Sequence, residues 1–178
     1  LFKAVRELID ERIITNTSVL FSYAGFDSKI FLKQLEDEHL EQLFNDLGPL
    51  SREECLINEL ESDILLLSTW NDSREKGVFP GKFIEYMMIG KPIIALIDGN
   101  RSNSEVRAVM EEGKFGIAYE SSLSSIDFPT LKNYILNQFK RIKNGKGIEF
   151  NPNLAVRNRF DYEFLIERFV SLIGGCDD

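Results

Sequence analysis

Short apolar runs alternate along this chain with stretches of helical periodicity. Phe2, Val5, Leu8, Ile9 and Ile13 fall on one helical stripe directly after the opening Leu1, with no capping residue before them. That start predicts a fragment cut inside or just before a helix. Val19–Ala24 is an apolar run ending at Gly25, which predicts a buried strand. Ser28–Glu38 has helical spacing through Ile30, Leu32 and Leu35. Leu40–Leu47 is ambiguous, with a short strand favoured at its end, before Gly48 and Pro49. Ser51 with Glu54 three residues on forms a capping box for a helix to about Leu60. Ile64–Ser68 reads as a second buried strand. The polar stretch Thr69–Gly81, rich in glycine and proline, predicts a long functional or unstructured connection.

The second half continues the alternation. Lys82–Ile89 reads as a helix closed by Gly90. Ile93–Ile97 reads as a third strand, and Asp98–Asn103 as a loop. Ser104 caps a helix to Glu112, closed by Gly113, and Phe115–Tyr119 is a fourth strand. The remainder is helical: Ile126–Ile142, a turn through Lys143, Asn144 and Gly145, a short helix after Asn153, and a last helix over Tyr162–Ile173 before a frayed tail. No domain boundary is visible. Continuously apolar strands alternating with helices predict an α/β fold. Its sheet is mostly parallel, Rossmann-like, with helices on both faces, and holds all four apolar runs.

Composition narrows the chemistry. The 178 residues include 21 basic and 29 acidic side chains, a net charge of −8. That balance argues against non-specific binding to nucleic acid or an anionic membrane. Cys55 and Cys176 are too few for a disulfide framework. With His39 as the one histidine they make no zinc set. A reducing, cytoplasmic setting is the expectation. His39, in an acidic run, reads as a surface residue; Trp70, at a strand end, reads as a pocket wall or, more simply, a packed loop anchor.

Ligands of open parallel sheets bind at the carboxyl ends of strands, near helix N-termini. Three loops qualify: Gly48–Ser51, Thr69–Gly81 with the helix it opens, and Asp98–Glu105. The second is the richest. Gly81 and Lys82 open a helix, where backbone N–H groups and the helix dipole favour an anion. Lys82 opposes that dipole, so helix stability does not explain it. Glu85 follows at i+3. A cation and a carboxylate one turn apart suit a phosphate next to a hydroxylated sugar; an ion pair on a solvated face has the same spacing. Arg74 and Lys76 either reach the phosphate or keep the loop soluble. Glu105, like Ser104, stands at a helix start, where an acid is stabilising in any case.

The stretch Ser62–Tyr119 resembles the donor-binding half of GT-B glycosyltransferases of the large retaining class. The resemblance rests on Lys82-Phe83-Ile84-Glu85-Tyr86, on Gly90-Lys91-Pro92 with the strand Ile93–Ile97, on Ser104-Glu105, and on Gly116. Upstream, Gly48-Pro49-Leu50-Ser51-Arg52-Glu53-Glu54 is similar to the family's turn before a helix. The resemblance implies that Glu85 binds the ribose hydroxyls of a nucleotide sugar of UDP or GDP type. It places Gly81 and Lys82 beside the diphosphate, with Lys82 as the catalytic cation, and Leu50 and Ser51 near the base. Ser104 and Glu105 complete the implied set.

Two departures stand out. Where many relatives carry a second glutamate eight positions before the ribose one, this chain has Gly77, and Glu75 is out of register. The family's first strand, with its basic, glycine-rich turn, would precede Leu1, which leaves a strand slot between Val19–Ala24 and Ile64–Ser68, to be filled by a neighbour's segment, covered, or left as two half-sheets. The chain is therefore expected to be one nucleotide-sugar-binding domain of a larger bacterial enzyme of polysaccharide biosynthesis. That enzyme would transfer a sugar with retention to a glycan or lipid-linked acceptor, held by a separate N-terminal domain, and associate peripherally with the inner membrane face. Neither cofactor nor metal is expected, since no Asp-x-Asp pair is present. Leu20–Lys29 also resembles the start of a TIR domain, which with an inert Rossmann-like interaction module forms the alternative.

Overall fold

The structure is a computed structural model and describes residues 1–73, 79–163 and 166. In chain order the elements are α1 (Phe2–Asp10), β1 (Phe21–Ala24), α2 (Lys29–Glu36), β2 (Phe44–Gly48), α3 (Arg52–Glu61), β3 (Leu65–Trp70), α4 (Gly81–Ile89), β4 (Ile93–Asp98), α5 (Glu105–Gly113), β5 (Gly116–Glu120), α6 (Ser124–Lys143) and α7 (Leu154–Asn158). The protein is an α/β structure whose strand pairs are all parallel among the described residues. It forms two compact units, one of Leu1–Ser62 with Ser124–Glu149, the other of Asp63–Leu123 with the described part of Phe150–Asp178. The helix expected over Tyr162–Ile173, the Cys176 tail, and Arg74, Glu75, Lys76 and Gly77 lie wholly or largely outside the described residues.

In the first unit β1 pairs with β2, Phe21 opposite Phe44 and Ser22 opposite Asn45. The ambiguous run before Gly48 is thus a strand, preceded by a 3-10 turn at Glu41–Leu43. Its two residues Asn45 and Asp46 hide the strand pattern, yet both have work in the fold. The Asn45 amide donates to Ser22 Oγ, and Ser28 Oγ donates to Asp46 Oδ2 at 2.6 Å. Ser28 therefore does not cap α2 with its side chain. The hydrogen bonds from Ser28 and from the Gly48 N–H hold the Asp46 carboxyl below its ordinary pKa. Strand β1 is shorter than the run Val19–Ala24, and Leu20 is exposed. Phe2, Phe21, Phe31, Tyr23 and Phe44 stack edge-on and tilted beside this pair of strands, with centroids 5.1–6.3 Å apart. Lys132 of α6 bridges Glu7 and Glu11, each at 2.6 Å, and ties that helix to α1. Buried Gln138 pairs both of its amide atoms with the backbone of Glu149, as a strand neighbour would.

The second unit is built on β3–β4–β5. The described strands thus form two sheets, of two and three strands, one of the outcomes expected where the slot between the first two apolar runs has no strand of its own. Leu65 opposes Ile93, and Ile93 opposes Gly116. Central β4 is buried over Ile93–Ala95 and at Ile97, as a strand covered on both faces must be. Strand β3 runs on through Thr69 and Trp70, so the connection to α4 starts later than its polar sequence suggests. Phe83 and Met87 of α4, Val106, Val109 and Met110 of α5, and Val156 of α7 pack with Leu67, Ile93, Ala95, Ile97, Phe115 and Ala118 into the core. Gly90 ends α4 in the left-handed conformation. At the end of α5 the left-handed residue is Lys114, and Gly113 is the last helical residue. A side chain on Gly113 would run into the Phe115 ring, so space rather than turn geometry requires glycine there.

Phe83 has no exposed surface, whereas Ile126 is 66% exposed. Phe83→Ala is expected to lower stability by about 3–5 kcal/mol, and Ile126→Ala to shift it by less than about 0.5 kcal/mol. Equilibrium urea unfolding measures both.

Candidate functional site

The connections fix where the candidate loops lie. Only Gly90, Lys91 and Pro92 separate the end of α4 from the start of β4. A helix that ends at the amino edge of the sheet begins toward its carboxyl edge, so Gly81 and Lys82 lie on the side where β3 ends. The same holds for α5, which two residues separate from β5. The carboxyl edge of β3–β4–β5 therefore collects the starts of α4 and α5 and the loop after β4.

At the start of α4, Pro80 is the N-cap and supplies no side-chain cap. Its carbonyl accepts the Phe83 N–H at 2.9 Å. Gly81 is exposed, and a β-carbon added there would meet open space. Neither packing nor a left-handed turn demands glycine at this position. Lys82 Nζ lies 2.7 Å from Glu85 Oε1 and 5.3 Å from the centre of the Tyr86 ring. Lys82 is 41% exposed and Glu85 only 19%. The predicted pair thus forms an i,i+3 ion pair, open to solvent on the lysine side. Such a pair adds little to stability. Its chemistry is a cation and a carboxylate held together at a helix start.

At the start of α5 the outcome differs. Ser104 is buried and caps the helix through its hydroxyl, which accepts the Arg107 N–H. The Asn103 and Ser104 N–H groups both donate to the Glu120 carboxylate at 2.8 Å, and Arg107 Nε lies 3.2 Å from Glu120 Oε2. Glu120 has no exposed surface. Burial pushes its pKa up, but hydrogen bonds from Ser104 and Asn103 and the charge of Arg107 outweigh that and hold it below the ordinary 4.5. The protein's own carboxylate therefore fills the anion site of this helix start. Glu105 is exposed beside it. Glu120 escapes the sequence reading because it ends an apolar strand; an acid closing such a strand, facing a serine-capped helix start, is the signal for it.

The loop between β4 and α5 is pinned. The Asn71 N–H donates to the Asp98 carbonyl at 2.7 Å, and its side-chain amide to the Arg101 carbonyl at 3.2 Å. The Arg101 N–H returns to the Asn71 carbonyl at 3.1 Å. Gly99 adopts a φ of +123°, and a side chain there would fall onto the Asn71 carbonyl. Trp70, the last residue of β3, opposes Asp98 and is 44% exposed, so it is not the packed anchor expected from sequence.

Gly81, Lys82, Glu85, Ser104 and Glu105 belong to the second unit, Leu50 and Ser51 to the first. Leu50 is half-buried after β2, and Ser51 is exposed. The capping box forms as predicted, with the Ser51 N–H donating to Glu54 Oε2 at 2.8 Å and Ser51 Oγ accepting the Glu54 N–H. Hydrogen bonding of the Glu54 carboxyl to the Ser51 side chain and backbone N–H lowers its pKa. His39 is exposed in a left-handed conformation. Among the described residues no group of three His, Cys, Asp or Glu is arranged to hold a metal ion, and no helix is long and apolar enough to cross a membrane. No protein-family model matches the sequence, and no curated protein matches it.

A depressed carboxyl pKa stabilises the fold above the unfolded-state value and ceases to as pH falls through the folded value. Glu120→Gln is therefore expected to cost about 1–3 kcal/mol at pH 7. The gap between wild type and variant should narrow below about pH 4.5, the ordinary glutamate value. Urea titrations at pH 7 and pH 4 check this; an equal gap at both would show that Glu120 acts by shape alone.

Proposed function

We propose that this chain is the donor-binding half of a GT-B glycosyltransferase, which transfers a sugar from a nucleoside diphosphate sugar to a glycan or lipid-linked acceptor. The observation that carries the reading is the Lys82–Glu85 pair in the first turn of α4, beside a glycine that the fold itself does not require. An open glycine backbone admits a diphosphate close to the helix start. Lys82 exchanges Glu85 for the phosphate oxygens. Glu85, released from the lysine, accepts hydrogen bonds from a vicinal diol such as that of a ribose. Ser104 and Glu105 are assigned to the outer part of the donor, on the resemblance alone. The filled helix start of α5 weighs against a direct phosphate contact there.

Transfer releases a nucleoside diphosphate, whose growing negative charge needs stabilisation. Lys82 and the N-terminal dipole of α4 supply it from this chain's own groups. The acceptor belongs to a second domain, and the setting is the cytoplasmic face of a bacterial membrane.

The first experiment is a thermal-shift screen of the purified protein. Stabilisation by UDP or GDP supports the reading; stabilisation by NAD favours a TIR-like module, and no response favours an inert one. In the enzyme that joins this chain to its acceptor domain, Glu85→Ala is expected to weaken nucleotide-sugar binding by about 1–3 kcal/mol. Lys82→Ala is expected to lower turnover more than it weakens donor binding, because the charge grows along the reaction coordinate. Loss of activity on chelation, or wild-type turnover in Lys82→Ala, would overturn the role given to Lys82.

A further inference from the structure

The β4–α5 loop is held far more firmly than a solvent-facing connection needs, and it presents one arginine. The Arg101 backbone is saturated. Its N–H goes to the Asn71 carbonyl, and its carbonyl accepts both the Asn71 amide at 3.2 Å and Ser122 Oγ at 2.9 Å. On one side Asn100 is tied to Ser73, accepting its N–H at 3.0 Å and donating to its hydroxyl. On the other side Glu120 holds the N–H groups of Asn103 and Ser104. Asn71 and Glu120, which do much of this holding, are themselves buried. The side chain of Arg101 is left out of the network. It is exposed, and among the described residues it pairs with no carboxylate, in a chain where acids outnumber bases 29 to 21.

We propose that Arg101 is an anion-binding residue, offering its guanidinium at the carboxyl edge of β3–β4–β5 to the diphosphate of a nucleotide; this rests on the donor-binding reading of the α4 start in the same unit. Three physical points support it. Arginine's planar fork matches two phosphate oxygens at once, which a lysine cannot do. A backbone fixed beforehand removes much of the ordering cost of such a contact. The loop that carries Arg101 follows β4 at the carboxyl edge of the sheet, the side on which parallel sheets place their ligands. Arg101 would add the second cation that a diphosphate calls for beside Lys82. Asn71 is then a positioning residue that acts through the Arg101 backbone.

Isothermal titration of the purified protein with inorganic pyrophosphate, UDP, GDP and uridine tests the proposal. Arg101→Ala is expected to weaken pyrophosphate and the bound nucleoside diphosphate at least tenfold, to leave uridine unchanged, and to melt at the wild-type temperature. Arg101→Lys should fall between the two. Asn71→Ala should weaken pyrophosphate when Arg101 is present and add no further loss in the Arg101→Ala background. Wild-type affinity in Arg101→Ala would overturn the role of Arg101 and leave the donor reading standing. Pyrophosphate binding that depends on Arg101, without binding of UDP or GDP, would keep the anion site and overturn the donor reading. No binding of any of the four by wild type would overturn both.

Discussion

A carboxylate with no contact with water organises the carboxyl side of the three-stranded sheet. Glu120 ends β5 and receives the first N–H groups of the α5 turn, with Arg107 against it. A buried charge is tolerable only when its hydrogen bonds and counter-charge are complete. That requirement fixes the start of α5 relative to β5 and, through Asn103, one end of the preceding loop. Asn71 fixes the other end by the same logic, since a buried amide must also find its partners. The surface of this edge is thus set from inside by two buried polar residues.

The two helix starts on that edge have opposite designs. The start of α5 is closed: a serine caps it, an internal carboxylate takes its N–H groups, and no anion is needed. The start of α4 has another design: a proline precedes it, a glycine begins it, and its lysine pairs with a carboxylate one turn away. A fold built for stability alone would favour the first design, since capping and an acid in the first turn both strengthen a helix. The contrast between these two helices of equal length is what the proposed reading of the α4 start builds on.

The first unit is held by different means. A cluster of aromatic rings lies beside its two strands, and Lys132 and Gln138 pin α6 to α1 and to the segment ending at Glu149. The capping box at Ser51 makes the start of α3 self-sufficient, much as Glu120 does for α5. Sequence pattern and structure agree on that box because both of its partners are three residues apart.

The same distinction separates what the sequence determined from what the tertiary structure decided. Apolar runs and helical stripes located β3, β4, β5 and most of α1 to α6, because burial imposes a period on neighbouring positions. Local signals also placed the Ser51 and Ser104 caps, the Gly90 stop and the Lys82–Glu85 pair, all within four residues of their partners. The second strand of the small sheet was faint, since Asn45 and Asp46 answer to Ser22 and Ser28, some twenty residues away in the chain. The burial of Glu120 against a helix start sixteen residues upstream and the clamp of Asn71 on Arg101 thirty residues on belong wholly to the folded chain. No local period records such pairings, because their partners meet only after the strands have lined up side by side.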